Sequence, residues 1–130
     1  MKVLVKPGVL FTDPADPTRP LIAPAGYVIL EALKSAANRL GTDLRITSGT
    51  DGAHSGPLDP HHTGEAYDVG SHEFSSALRP VVLRTIMDGL DPARFYGFLE
   101  FPDTIDEHFH IQRRKATTFT VLDLLAWEAA

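Results

Sequence analysis

Two short stretches of the chain contain the residue types that a catalytic metal site needs. His61 and Asp68 are seven residues apart, and the small residues Gly64 and Ala66 between them allow the backbone to turn closely. The imidazole and the carboxylate can therefore converge on one ion, and His110 supplies a third ligand from the second stretch. Two imidazoles, one carboxylate and one open position suit zinc with a water molecule in the remaining place.

The acidic residues before His110 are the candidates for a general base. A metal ion lowers the pKa of the water that it binds to about 7, and a nearby carboxylate then takes the proton and passes it to a leaving amine. Glu107 lies three residues before His110. In a straight strand its side chain would point away from His110, so this role needs a bulge or an irregular start of the strand. Asp106 lies on the same side as His110 and is the alternative.

The elements around the first stretch can be read from periodicity. Apolar residues at helical spacing predict a helix from Pro24 to about Leu40, ended by Gly41. Alternation over Asp43–Ser48 predicts a half-buried strand, which leads into the glycine-rich loop before His61.

Further elements are predicted on both sides of the second stretch. Pro80 begins a helix that reaches Met87, and Phe95 to Phe101 forms a strand joined by a hairpin connection to the strand His108 to Gln112. In that last strand His108, His110 and Gln112 share one face. The remaining expectations are a short edge strand at Val3–Val5, a surface loop over residues 13–20 and a C-terminal helix over residues 121–129. Together they predict an α+β fold, a small single domain over residues 1–130 with a central antiparallel sheet flanked by helices.

Composition excludes several classes of function. The chain has 130 residues, of which 43% are hydrophobic, and this suits one modest core. Its net charge of −5, with 12 basic and 17 acidic residues and no basic run, argues against nucleic acid and anionic membranes as partners. The absence of cysteine confines a metal site to His, Asp and Glu. We expect a monomer without a signal peptide or a membrane span, cytoplasmic as synthesised.

The motifs together resemble a known family. Ile46-Thr47-Ser48-Gly49, then His61-x-x-Gly64-x-Ala66-x-Asp68, then Glu107-x-x-His110 are similar to the motifs of the zinc D-alanyl-D-alanine carboxypeptidase and L-alanyl-D-glutamate endopeptidase family. The resemblance covers roughly residues 26 to 113. It implies a single zinc ion held by His61, Asp68 and His110, with Glu107 as catalytic acid and base. By analogy, His108 would orient the substrate or stabilise the oxyanion, and peptidoglycan stem peptides would be the substrates.

Two positions depart from the family's pattern. Asp59 stands where the family often has serine, and Asp51 where it often has arginine, at places that help to hold the substrate's carboxylate. Two acids there disfavour a free terminal carboxylate as the main handle, because like charges repel. We therefore expect cleavage of an internal peptide bond or of an amine-bearing peptide. Arg45 could replace the missing anchor, as could Arg113 or Arg114.

Other classes of function remain as alternatives. A non-catalytic zinc-binding domain of the same fold would keep the ligands, although a purely structural ion has no need of the spare acid Glu107. A cupin-like site would use the pair His108 and His110, but the chain lacks the glutamate that this class has a few residues later. A metal-dependent nuclease is disfavoured by the acidic balance. Release by a phage-type lysis system, delivery with a virion and a cytoplasmic peptide substrate all fit the expected lack of a signal peptide.

Overall fold

The fold was obtained as a computed structural model, which describes residues 1–51, 59–115, 117 and 121–122. Over these residues the chain has the predicted α+β composition. In chain order the helices and strands are β1 (Val3–Val5), β2 (Thr12–Asp13), β3 (Asp16–Pro20), α1 (Pro24–Leu40), β4 (Leu44–Ser48), β5 (Ala66–Gly70), α2 (Arg79–Met87), β6 (Phe95–Glu100) and β7 (His108–Arg113).

A five-stranded sheet with the strand order β1-β4-β5-β7-β6 forms the centre of the fold. Its edge strand β1 pairs in parallel with β4, while the other pairs are antiparallel. The predicted central antiparallel sheet is thus confirmed, with one parallel pair added at the edge. Strands β5 and β7 lie side by side in the interior of the sheet, so both their backbones are hydrogen-bonded on each side.

One face of the sheet is covered by both helices. Pro24 occupies the first turn of α1, and Gly41 ends the helix in the left-handed conformation with a φ of 68°. The apolar faces of α1 and α2 enter one buried cluster with the inward side chains of the sheet, among them Val28, Leu33, Ile86, Val69, Phe109 and Ile111. The polar residues of β5 and β7 alternate with these and therefore lie on the opposite face.

Two segments differ from the expectations. Residues 13–20, expected to be a surface loop, form most of the small antiparallel sheet of β2 and β3, in which Pro20 pairs with Thr12. Proline is tolerated there because it lies in a two-stranded sheet whose strands both have a free edge. Strand β5 was not predicted, because the small residues Gly64 and Ala66 indicate a close turn of the backbone between His61 and Asp68.

The expected C-terminal helix lies outside the described residues except for Val121 and Leu122, which are helical. Among the described helices, neither has the length and apolar character needed to span a bilayer.

Candidate metal centre

The pairing of β5 with β7 brings two of the predicted ligands together. Asp68 lies directly opposite His110 in this antiparallel pair, and directly opposed side chains project from the same face. On the other side of β5, Asp68 pairs with Ser48, next to a bulge in β4. Because both strands lie in the interior of the sheet, the backbone holds the carboxylate and the imidazole in a fixed relation.

His61 reaches the same face from a tight loop. Its backbone N–H donates to Asp59 Oδ1 at 2.9 Å, and the N–H of Gly64 donates to the carbonyl oxygen of His61 at 3.3 Å. Gly64 has a φ of +74°, and a Cβ at this position would lie 2.8 Å from the carbonyl oxygen of Leu21. A side chain is therefore excluded at this turn, which packs against the segment that precedes α1.

The three predicted ligands meet at three donor atoms. His61 Nε2 lies 3.2 Å from Asp68 Oδ1, His110 Nδ1 lies 3.0 Å from the same oxygen, and the two nitrogens are 3.3 Å apart. Ligands about 2.0–2.2 Å from a tetrahedral zinc lie roughly 3.3–3.6 Å from one another. The spacing of the donors therefore fits a small ion of this kind after a shift of a few tenths of an ångström.

Hydrogen bonds on the far side of each ring fix which nitrogen faces the ion position. His61 Nδ1 donates to the backbone oxygen of Gly49 at 3.0 Å, since a carbonyl oxygen can only accept. His110 Nε2 lies 2.7 Å from Gln112 Oε1, and the amide nitrogen of Gln112 donates to a backbone oxygen. In the neutral rings the lone pairs of His61 Nε2 and His110 Nδ1 therefore both point at Asp68, as metal-ligating histidines require.

The electrostatics of the site agree with this arrangement. Burial raises the pKa of the Asp68 carboxyl, but its hydrogen-bonding contacts with His110 and His61 and its charge interactions with the neighbouring imidazoles lower it more, so the pKa lies well below its usual range. For His110, burial lowers the pKa, but the hydrogen bonds to Asp68 and Gln112 raise it above its ordinary value overall. A metal ion bound here would displace any proton that His110 shares with Asp68.

Two further side chains extend the group. Glu100 and His108 lie opposite each other on β6 and β7, one pleat away from the pair of Phe98 and His110. The donor atoms of Asp68, Glu100, His108 and His110 all lie within 4.8 Å of one another, so this buried or half-buried group could hold a metal ion.

The predicted base Glu107 lies immediately before β7. Glu107 directly precedes the first residue of the strand, His108, and its carboxylate is directed to Arg79 at the start of α2. Its Oε2 accepts from Arg79 Nη1 at 2.7 Å and from Ser71 Oγ at 3.2 Å. Among the described residues, nothing hydrogen-bonds to the buried Oε1. The alternative base Asp106 is exposed.

A depression of about 340 Å³ connects these groups. Asp68, Glu107 and His108 line it together with residues of β4 and of the segment before β7: Lys6, Thr47, Ser48, Gly70, His72, Ile105 and Asp106. A volume of this size is typical of a small-molecule site, about 300–1,000 Å³. The depression therefore borders the proposed ligand Asp68 and both predicted catalytic residues, of which Glu107 has a side chain that is only 1% exposed.

The predicted substrate residues lie outside the lining of this depression. Asp51 Oδ1 accepts from the backbone N–H groups of Gly49 and Leu10 at 2.9 and 3.0 Å, and Asp59 caps His61 as described above. Arg45 forms an exposed ion pair with Glu73 at 3.2 Å. The two aspartates thus shape the loop, and a contact of these three residues with substrate stays a prediction.

The alternative anchors are also engaged elsewhere. Arg113 forms an ion pair with Glu65 through two contacts, one from Nε to Oε2 and one from Nη2 to Oε1 at 3.1 Å. The guanidinium of Arg114 lies over the ring of Tyr96, 5.4 Å from its centre. Neither arginine lines the depression.

Several residues of the site were missed by the sequence analysis. Glu100 could have been found, because the predicted hairpin of β6 and β7 places a residue near position 100 opposite His108. Gln112 was placed on the correct face, but no role was assigned to it. Arg79 and Ser71 lie in a different part of the sequence from Glu107, and no motif connects them with it.

Comparisons of the chain with family models, with curated proteins and with solved structures gave no match. The resemblance of the motifs to the zinc carboxypeptidase and endopeptidase family therefore stays a prediction based on the residues themselves.

Proposed function

We propose that the protein is a zinc-dependent peptidase that hydrolyses an amide bond in the stem peptides of peptidoglycan. One observation carries this proposal. The lone pairs of two histidines, each fixed by a hydrogen bond on the far side of its ring, converge with a buried carboxylate oxygen at 3.0–3.3 Å. Such a set needs a proton or a cation between its members, and its nitrogen and oxygen donors suit zinc.

The proposed chemistry divides between the ion and the acid beside it. Bound zinc would make water nucleophilic near neutral pH and polarise a carbonyl oxygen. Glu107 would accept the water proton and deliver it to the leaving amine. Its Oε2 is held by Arg79 and Ser71, and its buried Oε1 has no hydrogen-bond donor among the described residues.

Two further arguments support the proposal. Glu107 and Asp68 line the same depression, which brings the proposed base and a proposed metal ligand to one cavity. His108 also lines it, in keeping with a role in orienting the substrate or stabilising an oxyanion. The choice of peptidoglycan peptides as substrates rests on the resemblance of the motifs around His61, Asp68 and His110.

The test separates metal binding from turnover. We expect the purified chain to bind zinc and to cleave purified peptidoglycan or synthetic stem peptides, with the cut bond identified by mass spectrometry. Glu107→Gln should retain zinc and lose about 10²-fold or more of the rate. Asp106→Asn is the matched control and should retain the rate. Loss of activity in Asp106→Asn but not in Glu107→Gln would transfer the role of base to Asp106.

One observation favours a second candidate, a non-catalytic zinc-binding domain. The Glu107 side chain is only 1% exposed, and it forms an ion pair with Arg79, a purely structural use of a buried acid. Zinc binding without cleavage of any of these substrates, together with destabilisation of the fold by Glu107→Gln, would favour this candidate over the peptidase.

A further inference from the structure

His108 and Glu100 form a second group of donors around Asp68, and the ligands proposed above do not include them. His108 Nε2 lies 2.7 Å from Glu100 Oε1 and 3.3 Å from Asp68 Oδ1. The register explains why they meet, since Glu100 is directly opposite His108 on the neighbouring strand. Asp68 Oδ1 thus lies between His61 and His110 of the first set and His108 of the second.

The tautomer of His108 is fixed in the same way as those of the other two histidines. Its Nδ1 donates to the backbone oxygen of Asp106 at 2.7 Å. In the neutral ring, the lone pair of Nε2 therefore points at Glu100 Oε1 and Asp68 Oδ1. Three atoms that can only accept hydrogen bonds are thus grouped in one place, as they are at the first set.

The position of His110 assigns it to the first set. His110 has a single free lone pair, at Nδ1, and this atom lies closer to Asp68 and His61 (3.0 and 3.3 Å) than to Glu100 (3.9 Å). A carboxylate can bridge two ions, whereas an imidazole nitrogen binds one. Asp68 is therefore the residue that both sets can share.

We propose that a second subsite, formed by Asp68, His108 and Glu100, binds a divalent transition-metal ion of the zinc type. Asp68 would bridge this ion to the one held by the first set of ligands. Two carboxylates and one imidazole are a donor set that suits such an ion. The inference rests on the metal centre of the proposed function, and it would make the depression a two-ion site. Paired sites of this kind hold their ions about 3.5–4 Å apart.

Metal stoichiometry tests the subsite without any assay of activity. The metal-free chain of residues 1–130 is titrated with Zn²⁺ by calorimetry and with Co²⁺ by visible absorption, and circular dichroism checks that each variant is folded. We expect two equivalents in the unaltered protein. Glu100→Gln and His108→Ala should each bind one, and His61→Ala should also lose one. Glu73→Gln, at the exposed ion pair with Arg45, is the control and should keep both.

The outcomes separate the subsite from the proposed function. The subsite is overturned if the unaltered protein binds one equivalent of metal that Glu100→Gln and His108→Ala retain and His61→Ala loses. This result leaves the first centre in place. In that case the contact of His108 with Glu100 at 2.7 Å is a structural pair without an ion. If the unaltered protein binds one equivalent of metal that Glu100→Gln loses and His61→Ala retains, both the subsite and the first centre are overturned. If His108→Ala does not fold, the partly exposed Glu100 still decides, because its variant changes no buried packing.

Discussion

Gln112 is the residue whose substitution tests the metal centre most directly without removing a ligand. Its Oε1 accepts from His110 Nε2 at 2.7 Å and so keeps the lone pair of Nδ1 turned towards Asp68. Replacing Gln112 with leucine removes the acceptor and leaves a side chain of similar size. The His110 ring can then change its tautomer or rotate, and the buried Nε2–H loses its partner.

The expected effect follows from the role of such outer contacts. Loss of a hydrogen-bond partner of a ligating histidine typically weakens metal binding about 10–100-fold, or about 1.4–2.8 kcal/mol. At a free zinc concentration 100 times the Kd of the unaltered protein, bound zinc stabilises that protein by about 2.7 kcal/mol. A variant with 100-fold weaker binding would gain only about 0.4 kcal/mol under the same conditions.

Two measurements check this prediction. Competition with a chromophoric chelator gives the zinc affinity, and urea unfolding with and without zinc gives the stabilisation. Gln112→Glu is the matched control, because a carboxylate still accepts from His110, and its affinity should stay within a few-fold of that of the unaltered protein. Folded Gln112→Leu with unchanged zinc affinity would refute the reasoning. Equal weakening in both variants would show that the acceptor is not what matters.

Three further predictions concern stability. Gly64→Ala should lower the stability by more than the about 1–2 kcal/mol of left-handed backbone strain, since its Cβ would also approach a carbonyl oxygen. Gly8 has a φ of +91° and open space around it, so the control Gly8→Ala should lose only the strain energy. Urea unfolding measures both. Arg79→Met should destabilise the fold by about 3 kcal/mol, because it leaves the buried carboxylate of Glu107 unpaired. The control Arg84→Met, on the exposed side of the same helix, should change the stability by less than about 0.5 kcal/mol. The pKa of His110 is raised in the fold, so protonation of this ring stabilises the metal-free protein fully below the pKa of about 6.5 that histidine has in the unfolded chain. This contribution should disappear as the pH rises through the folded pKa. The free energy of unfolding should therefore decline between pH 6 and 9, and His110→Gln should reduce that decline.

Local patterns were sufficient for much of the fold. The helix from Pro24 to Leu40 has its apolar stripe, its proline and its terminal glycine all in agreement, and its predicted bounds are those observed. The alternation of β7 placed His108, His110 and Gln112 on one face before any pairing was known. These features depend on neighbours in sequence, which is why the sequence alone could specify them.

Strand β5 shows where local patterns were insufficient. Its residues Ala66–Asp68 are buried without the alternation of apolar and polar residues that marks a half-buried strand. The small residues Gly64 and Ala66 indicated a close turn, although the stretch Ala66–Gly70 fits a central strand flanked on both sides by other strands. Burial of this kind depends on β4 and β7, which are distant in sequence.

The difference between the two donor sets has the same physical origin. The first set was predictable because family-like motifs contain all of its members, His61, Asp68 and His110. The second set depends on a register, since Glu100 becomes a neighbour of His108 only when β6 and β7 pair with the alignment that the structure has. A slip of one residue in this hairpin would turn Glu100 to the helix-covered face, where a carboxylate would be buried without a partner. That cost favours the observed register, so the side chain that completes the second set also helps to specify the pairing that places it there.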